Sequence, residues 1–140
     1  MNFIHSFVDF SMAILWLRLI LGITLFAHGA QKVFGWFHGY GLKTTVQFMH
    51  DQLHIPALFA YGAAFTELLG GIAVAAGLLT RISSLGLAVV MLVALVTVHI
   101  KKGFFSDKGG IEFTLALFAI ALFIFLAGPG AYSVDALLFS

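Results

Sequence analysis

The sequence predicts an all-α membrane fold: an integral membrane four-helix transmembrane bundle with a short interfacial amphipathic helix in its first loop. Three observations predict it. The chain of 140 residues is 61% hydrophobic and only 9% charged, with a mean hydropathy of +1.08, whereas a soluble domain carries about 25% charged residues. Four apolar stretches follow one another, punctuated by Gly, Pro, Ser and charged residues that mark turns. At about 1.5 Å rise per residue a span takes roughly 17–25 residues, so four spans occupy most of the chain. Only short connections remain, and the chain reads as one domain over 1–140 with spans at about 11–34, 56–79, 85–100 and 111–127.

The first span opens with Ser11 as the expected N-cap and runs to Phe34, where Gly35-Trp36-Phe37-His38-Gly39-Tyr40-Gly41 ends it. Trp36, Phe37 and Tyr40 suit a headgroup-level aromatic belt. Upstream, Met1 to Asp9 lacks a basic n-region and the apolar run that follows exceeds a signal h-region, so a retained first helix is expected rather than a cleaved leader. In the first loop Leu42, Val46, Met49 and Leu53 recur at helical spacing, with Lys43, Thr44, Gln47 and Asp51 between them. That segment is too polar to span and reads as the interfacial helix.

Pro56 opens the second span, which carries a small-residue packing face at Gly70, Gly71 and Ala75. Thr80-Arg81-Ile82-Ser83-Ser84 reads as a tight turn, and the third span follows to Ile100. The loop from Lys101 to Gly110 leads into a Phe-rich fourth span that Gly128-Pro129-Gly130 terminates, and the tail from Tyr132 is expected on the surface. Lys32, Lys43, Lys101, Lys102 and Lys108 flank the first and third loops, against Arg81 on the other side. By the positive-inside rule both termini are external.

Charge and cysteine content exclude several classes of function. The net charge is +1 and the basic residues are scattered, which gives no nucleic-acid footprint. With no Cys, dithiol chemistry, disulfides, thiolate zinc sites and covalent c-type haem are outside the reach of this chain alone. His50 and His54 stand at i and i+4, but Asp51 replaces a zincin Glu, no third ligand is evident and Pro56 follows at once, so no metal site is expected.

Ionisable groups inside a span are costly unless paired or hydrated. Here the set comprises Arg18, His28, Glu67, His99 and Glu112, with Gln31 and Lys32 near the end of the first span. Chain direction puts Arg18 toward the external face and Glu67 near the midplane. An Arg18–Glu67 pair is the simplest expectation, either as a clasp between helices or as a carboxylate tuned by ligand or proton. His28, His99 and Glu112 come from three helices at the cytoplasmic end and are expected to frame a polar pocket for proton exchange or for a quinone carbonyl.

Several segments resemble the hallmarks of the DoxX family. They are Leu25-Phe26-Ala27-His28-Gly29-Ala30-Gln31-Lys32-Val33-Phe34-Gly35-Trp36-Phe37, then Glu67-Leu68-Leu69-Gly70-Gly71 and Gly77-Leu78-Leu79-Thr80-Arg81. The likeness continues through Gly103-Phe104-Phe105, Gly109-Gly110-Ile111-Glu112 and Gly128-Pro129-Gly130-Ala131-Tyr132-Ser133-Val134-Asp135. The resemblance implies a multi-pass protein of a bacterial or archaeal cytoplasmic membrane. It also implies a link to redox subunits and to oxidative, thiol or quinone stress, and the family's polar positions match the seven residues singled out above. The expected role is a redox-associated accessory subunit handling a quinone, with a membrane redox partner or a second copy of the chain. Two other roles compete: a small proton-coupled permease or detoxification protein for a hydrophobic compound, and a ligand-free scaffold subunit.

Overall fold

In the computed structural model, residues 9–139 are described, and the stretch Met1 to Val8, read above as preceding a retained helix, lies outside them. Helix α1 (Phe10–Phe34) starts at Asp9, whose carboxylate accepts the Ser11 amide at 3.1 Å. Asp9 is therefore the N-cap, not Ser11. The Ser11 hydroxyl instead accepts the Ala131 amide at 2.9 Å, which joins the start of α1 to the segment after the last long helix. Gly35 ends α1 in the left-handed region, φ 74°, a conformation that costs glycine nothing.

Helix α2 (Gly41–Leu53) is the short amphipathic segment, and it packs on α3 and α1. Helix α3 (Ala57–Ala76) follows Pro56 and runs antiparallel to α1, with which it shares the most extensive helix contact among the described residues. Missing side chains permit that approach. A Cβ on Gly22 would lie 2.5 Å from the Gly71 carbonyl oxygen, and one on Gly29 would collide with the backbone of Leu68. Gly71 and Ala75 face α1, whereas Gly70 faces Leu87 of α4. In a bilayer, where lipid competes with any apolar contact, such backbone proximity is a main source of helix association.

Helix α4 (Thr80–Ala94) begins five residues before the expected third span. The polar run Thr80 to Ser84, read as a turn, is its first turn. The reason is a cap supplied from far along the chain: Asp135 accepts the Leu79 amide at 2.7 Å and the Thr80 amide at 2.9 Å. These are otherwise orphan donors of a helix start. Burial opposes ionisation of Asp135, but the Thr80 and Leu79 hydrogen bonds and the nearby Arg18 charge outweigh it and hold the carboxyl below its ordinary value. The tail helix α6 (Val134–Phe139) buries none of its own residues, so it lies at the surface while Asp135 pins it to the α3–α4 turn.

Beyond Ala94 the helix changes pitch, with a π turn at Leu95–His99 and a 3₁₀ turn at Ile100–Lys102. A connecting loop closes on itself through Ile111 N–H to Gly103 O and Glu112 N–H to Phe104 O. Helix α5 (Glu112–Ala127) then packs against α4. Leu21, Leu25, Val74, Leu87, Met91, Leu117 and Ile124 form the core between these helices. Among the described residues, three helical stretches are long and apolar enough to cross a membrane, over 10–34, 57–76 and 80–102, and α5 is a shorter apolar fourth. Most of each helix faces outward rather than into the core, which suits a bundle whose solvent is lipid.

Candidate functional site

Two buried ions lie on the α1–α3 pair, and they do not meet. Arg18, 1% exposed, spends its guanidinium on backbone: Nε donates to Val74 O at 3.1 Å and Nη2 to Ala75 O at 3.1 Å. Its Nη1 donates to Pro129 O at 2.7 Å and Tyr132 O at 2.9 Å. The expected Arg18–Glu67 pair is thus replaced by a staple joining α1, the end of α3 and the segment after α5. Register explains the correction. Gly22 lies over Gly71 and Gly29 over Leu68, so residue 18 falls beside residues 74–75 while residue 67 falls near residues 29–32. From residue 18 to residue 32 is about 21 Å of helix.

Glu67, 0% exposed, pairs with Lys32 instead, Nζ to Oε1 at 2.5 Å. Its second oxygen, Oε2, is buried and has no hydrogen-bond partner among the described residues. Such an orphan is uncommon in a native fold, because a buried acceptor left unmade costs about 1–3 kcal/mol, and more for a charged group.

Glu67 and Lys32 sit at the polar end of a cleft of about 1290 Å³. The cleft lies between the N-terminal half of α3 and the length of α4, with α2 along one side. Its walls are apolar: Leu58, Phe59, Leu85, Val89 and Val93 line it and are themselves outward-facing, so the cleft opens sideways toward lipid. Gly62 and Gly86 line the cleft without side chains, and at Gly86 a Cβ would lie 3.2 Å from the Thr66 methyl of the facing helix. A Cβ on Gly62 would meet nothing within 4 Å, so no packing contact among the described residues accounts for that glycine, unlike Gly22, Gly29 and Gly71.

Five of the seven expected site residues line this one cavity: His28, Gln31, Lys32, Glu67 and His99. His28 also stacks against Phe113 with ring centroids 5.7 Å apart. Gln31 donates to Phe37 O at 3.1 Å, which folds the α1–α2 connection over the cleft. There Phe37 and His38 adopt positive φ, 54° and 64°, an uncommon conformation for side chains of this size, and His38 reaches the cavity lining. The His99 Nδ1 lies 2.7 Å from Gly109 O. A carbonyl can only accept, so Nδ1 carries the proton and Nε2 of the neutral ring is an acceptor. The π turn that ends on His99 fits the association of such turns with functional positions.

Arg18 and Glu112 lie outside the cleft. The Glu112 Oε2 accepts the Ser106 amide at 3.0 Å, so it shapes the α4–α5 connection rather than joining His28 and His99. Sequence reading missed His38, Thr66 and Thr97, which also line the cleft, and Asp135, which supports the Arg18 end. Thr66 and Thr97 stand at helical spacing from Gly62 and Val93 and were readable as one face; His38 depends on a left-handed loop with no periodicity. No group of three or more His, Cys, Asp or Glu residues gathers as a metal set among the described residues. His50 and Asp51 contact each other at 3.0 Å on the exposed side of α2.

A family model, DoxX, matches residues 13–100. The Bacillus subtilis (strain 168) protein named Putative oxidoreductase CatD is 33% identical over 131 residues, which cover 94% of this chain and 90% of that protein. No solved structure matches the chain. The two agreements together cover nearly every helix described above, and this multi-pass membrane protein belongs to the DoxX family.

Proposed function

We propose that this protein is a redox-associated accessory subunit of a bacterial or archaeal cytoplasmic membrane that holds a quinone or similar small electron carrier in the cleft beside α3 and α4. One observation carries the reading: an apolar cleft open to lipid reaches a buried carboxylate with an unpartnered oxygen, beside Lys32 and His28, with His99 further along the same lining. The oxidoreductase name of the B. subtilis relative supports it. The residues present fit such a ligand, because pockets for lipophilic molecules are mostly apolar with a few convergent polar groups.

A quinone reaches its enzymes through the bilayer, and the outward-facing walls offer an entry without crossing the headgroups. Lys32 gives one N–H to Glu67 and retains others for a ring oxygen. His28, beside Phe113, offers a second polar contact next to an aromatic face. Glu67 and His99 offer proton acceptors at two positions along the same cleft. Electrons enter from a membrane redox partner. The clustering of lysines around the first and third loops supports placing this polar end on the cytoplasmic side, with both termini external.

Purified protein in lipid nanodiscs tests the reading. Decylubiquinone is expected to quench Trp36 fluorescence saturably, and Gly62→Phe, which fills open cleft space, is expected to weaken binding at least fivefold with helix content unchanged. Absence of saturable quenching, or uptake of the compound into proteoliposomes lacking any electron donor, would count against a redox role and favour transport.

A further inference from the structure

Resting on the quinone reading, we infer that the polar end of the cleft selects the reduced, hydroxyl-bearing form of its ligand, an aromatic diol, over the oxidised dione. The inference comes from the acceptor and donor inventory of the site. Glu67 Oε2 is a buried acceptor without a partner among the described residues, while Oε1 is taken by Lys32. His99 has its Nδ1 proton committed to Gly109 O, so Nε2 of the neutral ring is a second acceptor at the same cleft.

A diol carries two O–H donors and satisfies an orphan acceptor outright. A dione carries acceptors only, so it would set lone pairs against the Glu67 carboxylate and leave that group unmade. The remaining polar groups do not reverse this. Lys32, and whichever His28 nitrogen carries a proton, can donate to a phenolic or to a carbonyl oxygen; the carbonyl is the better acceptor, but neither donor gives Glu67 Oε2 the proton it lacks, which the diol alone brings. Sites built to bond a ligand hydroxyl reject analogues lacking it far more strongly than apolar pockets reject a missing methylene, because the site's own buried groups are then stranded.

The test uses the full chain in nanodiscs with decylubiquinone and decylubiquinol as probes. The quinol is expected to bind at least tenfold more tightly. A redox titration of the bound probe at fixed pH should then show its midpoint raised by about 30 mV or more, since a tenfold change in a two-electron couple corresponds to about 30 mV. Glu67→Gln places an amide N–H where only an acceptor stood, and is expected to bring the two affinities to within about threefold. If Glu67→Gln fails to fold, the midpoint in the wild-type protein decides alone. Saturable binding of both forms with a quinol preference under tenfold, or a Glu67→Gln variant that keeps the wild-type ratio, overturns the inference and leaves the quinone reading standing. Binding of neither form removes both.

Discussion

Arg18 and Glu67 are both charged, both buried and both on the tightly packed α1–α3 pair, yet their surroundings are opposite in kind. The guanidinium has four backbone carbonyls around it, drawn from α3 and from the segment after α5. The carboxylate has one lysine and one orphan oxygen, on the wall of a cleft. A group with every donor nitrogen engaged holds a structure together. One left short of partners is where a ligand can still gain. The contrast divides the bundle into an end whose buried charge is bonded to backbone on several sides and an end whose buried charge keeps an open oxygen, and this division, rather than burial alone, separates the staple from the proposed site.

The largest effect is expected at the staple. Arg18→Met removes the shared donor of four carbonyls, one in a buried contact and three in part-buried ones, and should cost about 3–5 kcal/mol of stability, at roughly 1 kcal/mol for each hydrogen bond lost to the charged group. Arg18→Lys should recover only part of it, because an ammonium lacks the planar fork that reaches four acceptors. Reversible unfolding in mixed micelles, followed by circular dichroism, measures both. An Arg18→Met protein as stable as the wild type would erase the distinction between the two ends.

A smaller effect is expected at the site. Lys32 is 27% exposed at its side chain, so Lys32→Gln should cost about 2–3 kcal/mol, mainly by leaving Glu67 as a buried charge with no counterion. The double variant Lys32→Gln/Glu67→Gln should regain most of that loss, since an amide pair removes the charge altogether. Equal losses in the single and double variants would show that the lysine stem, not the ion pair, supports the cleft.

The smallest effect concerns how the stapled end is reinforced. Asp135 has a folded-state pKa below its unfolded value, so its contribution is fully present above the unfolded pKa and is lost as pH falls through the folded one. The contribution is about 1 kcal/mol, the usual worth of a side-chain cap. Stability should therefore decline below about pH 4 in the wild type, given an ordinary Asp value near 3.9, and Asp135→Asn should flatten that part of the profile. Parallel acid profiles for the two proteins would remove Asp135 from the reinforcement of the Arg18 end.

Legibility in the sequence was uneven. The membrane class, the helical bundle and the family followed from composition, apolar runs and motif order, all of which are local. The set of costly polar residues was also legible, since the bilayer penalises each of them individually. Pairing within that set was not. A choice between Arg18 and Lys32 as the partner of Glu67 depends on the vertical register of α1 against α3, and Gly22 and Gly29 fix that register through backbone contact. Similarly, Thr80 to Ser84 looked like a turn because its cap, Asp135, arrives from 55 positions downstream.

By itself, then, the sequence determined the class of fold and which side chains are out of place in lipid, because hydropathy and the cost of a buried charge are properties of residues. Tertiary structure alone decided which of those side chains are satisfied. Hydrogen bonding to a carbonyl or an ammonium requires an approach to about 3 Å, and only the packed helices set such distances. That is why Arg18 emerges as a fastening and Glu67 as a buried carboxylate with an oxygen still unpartnered on a cleft wall.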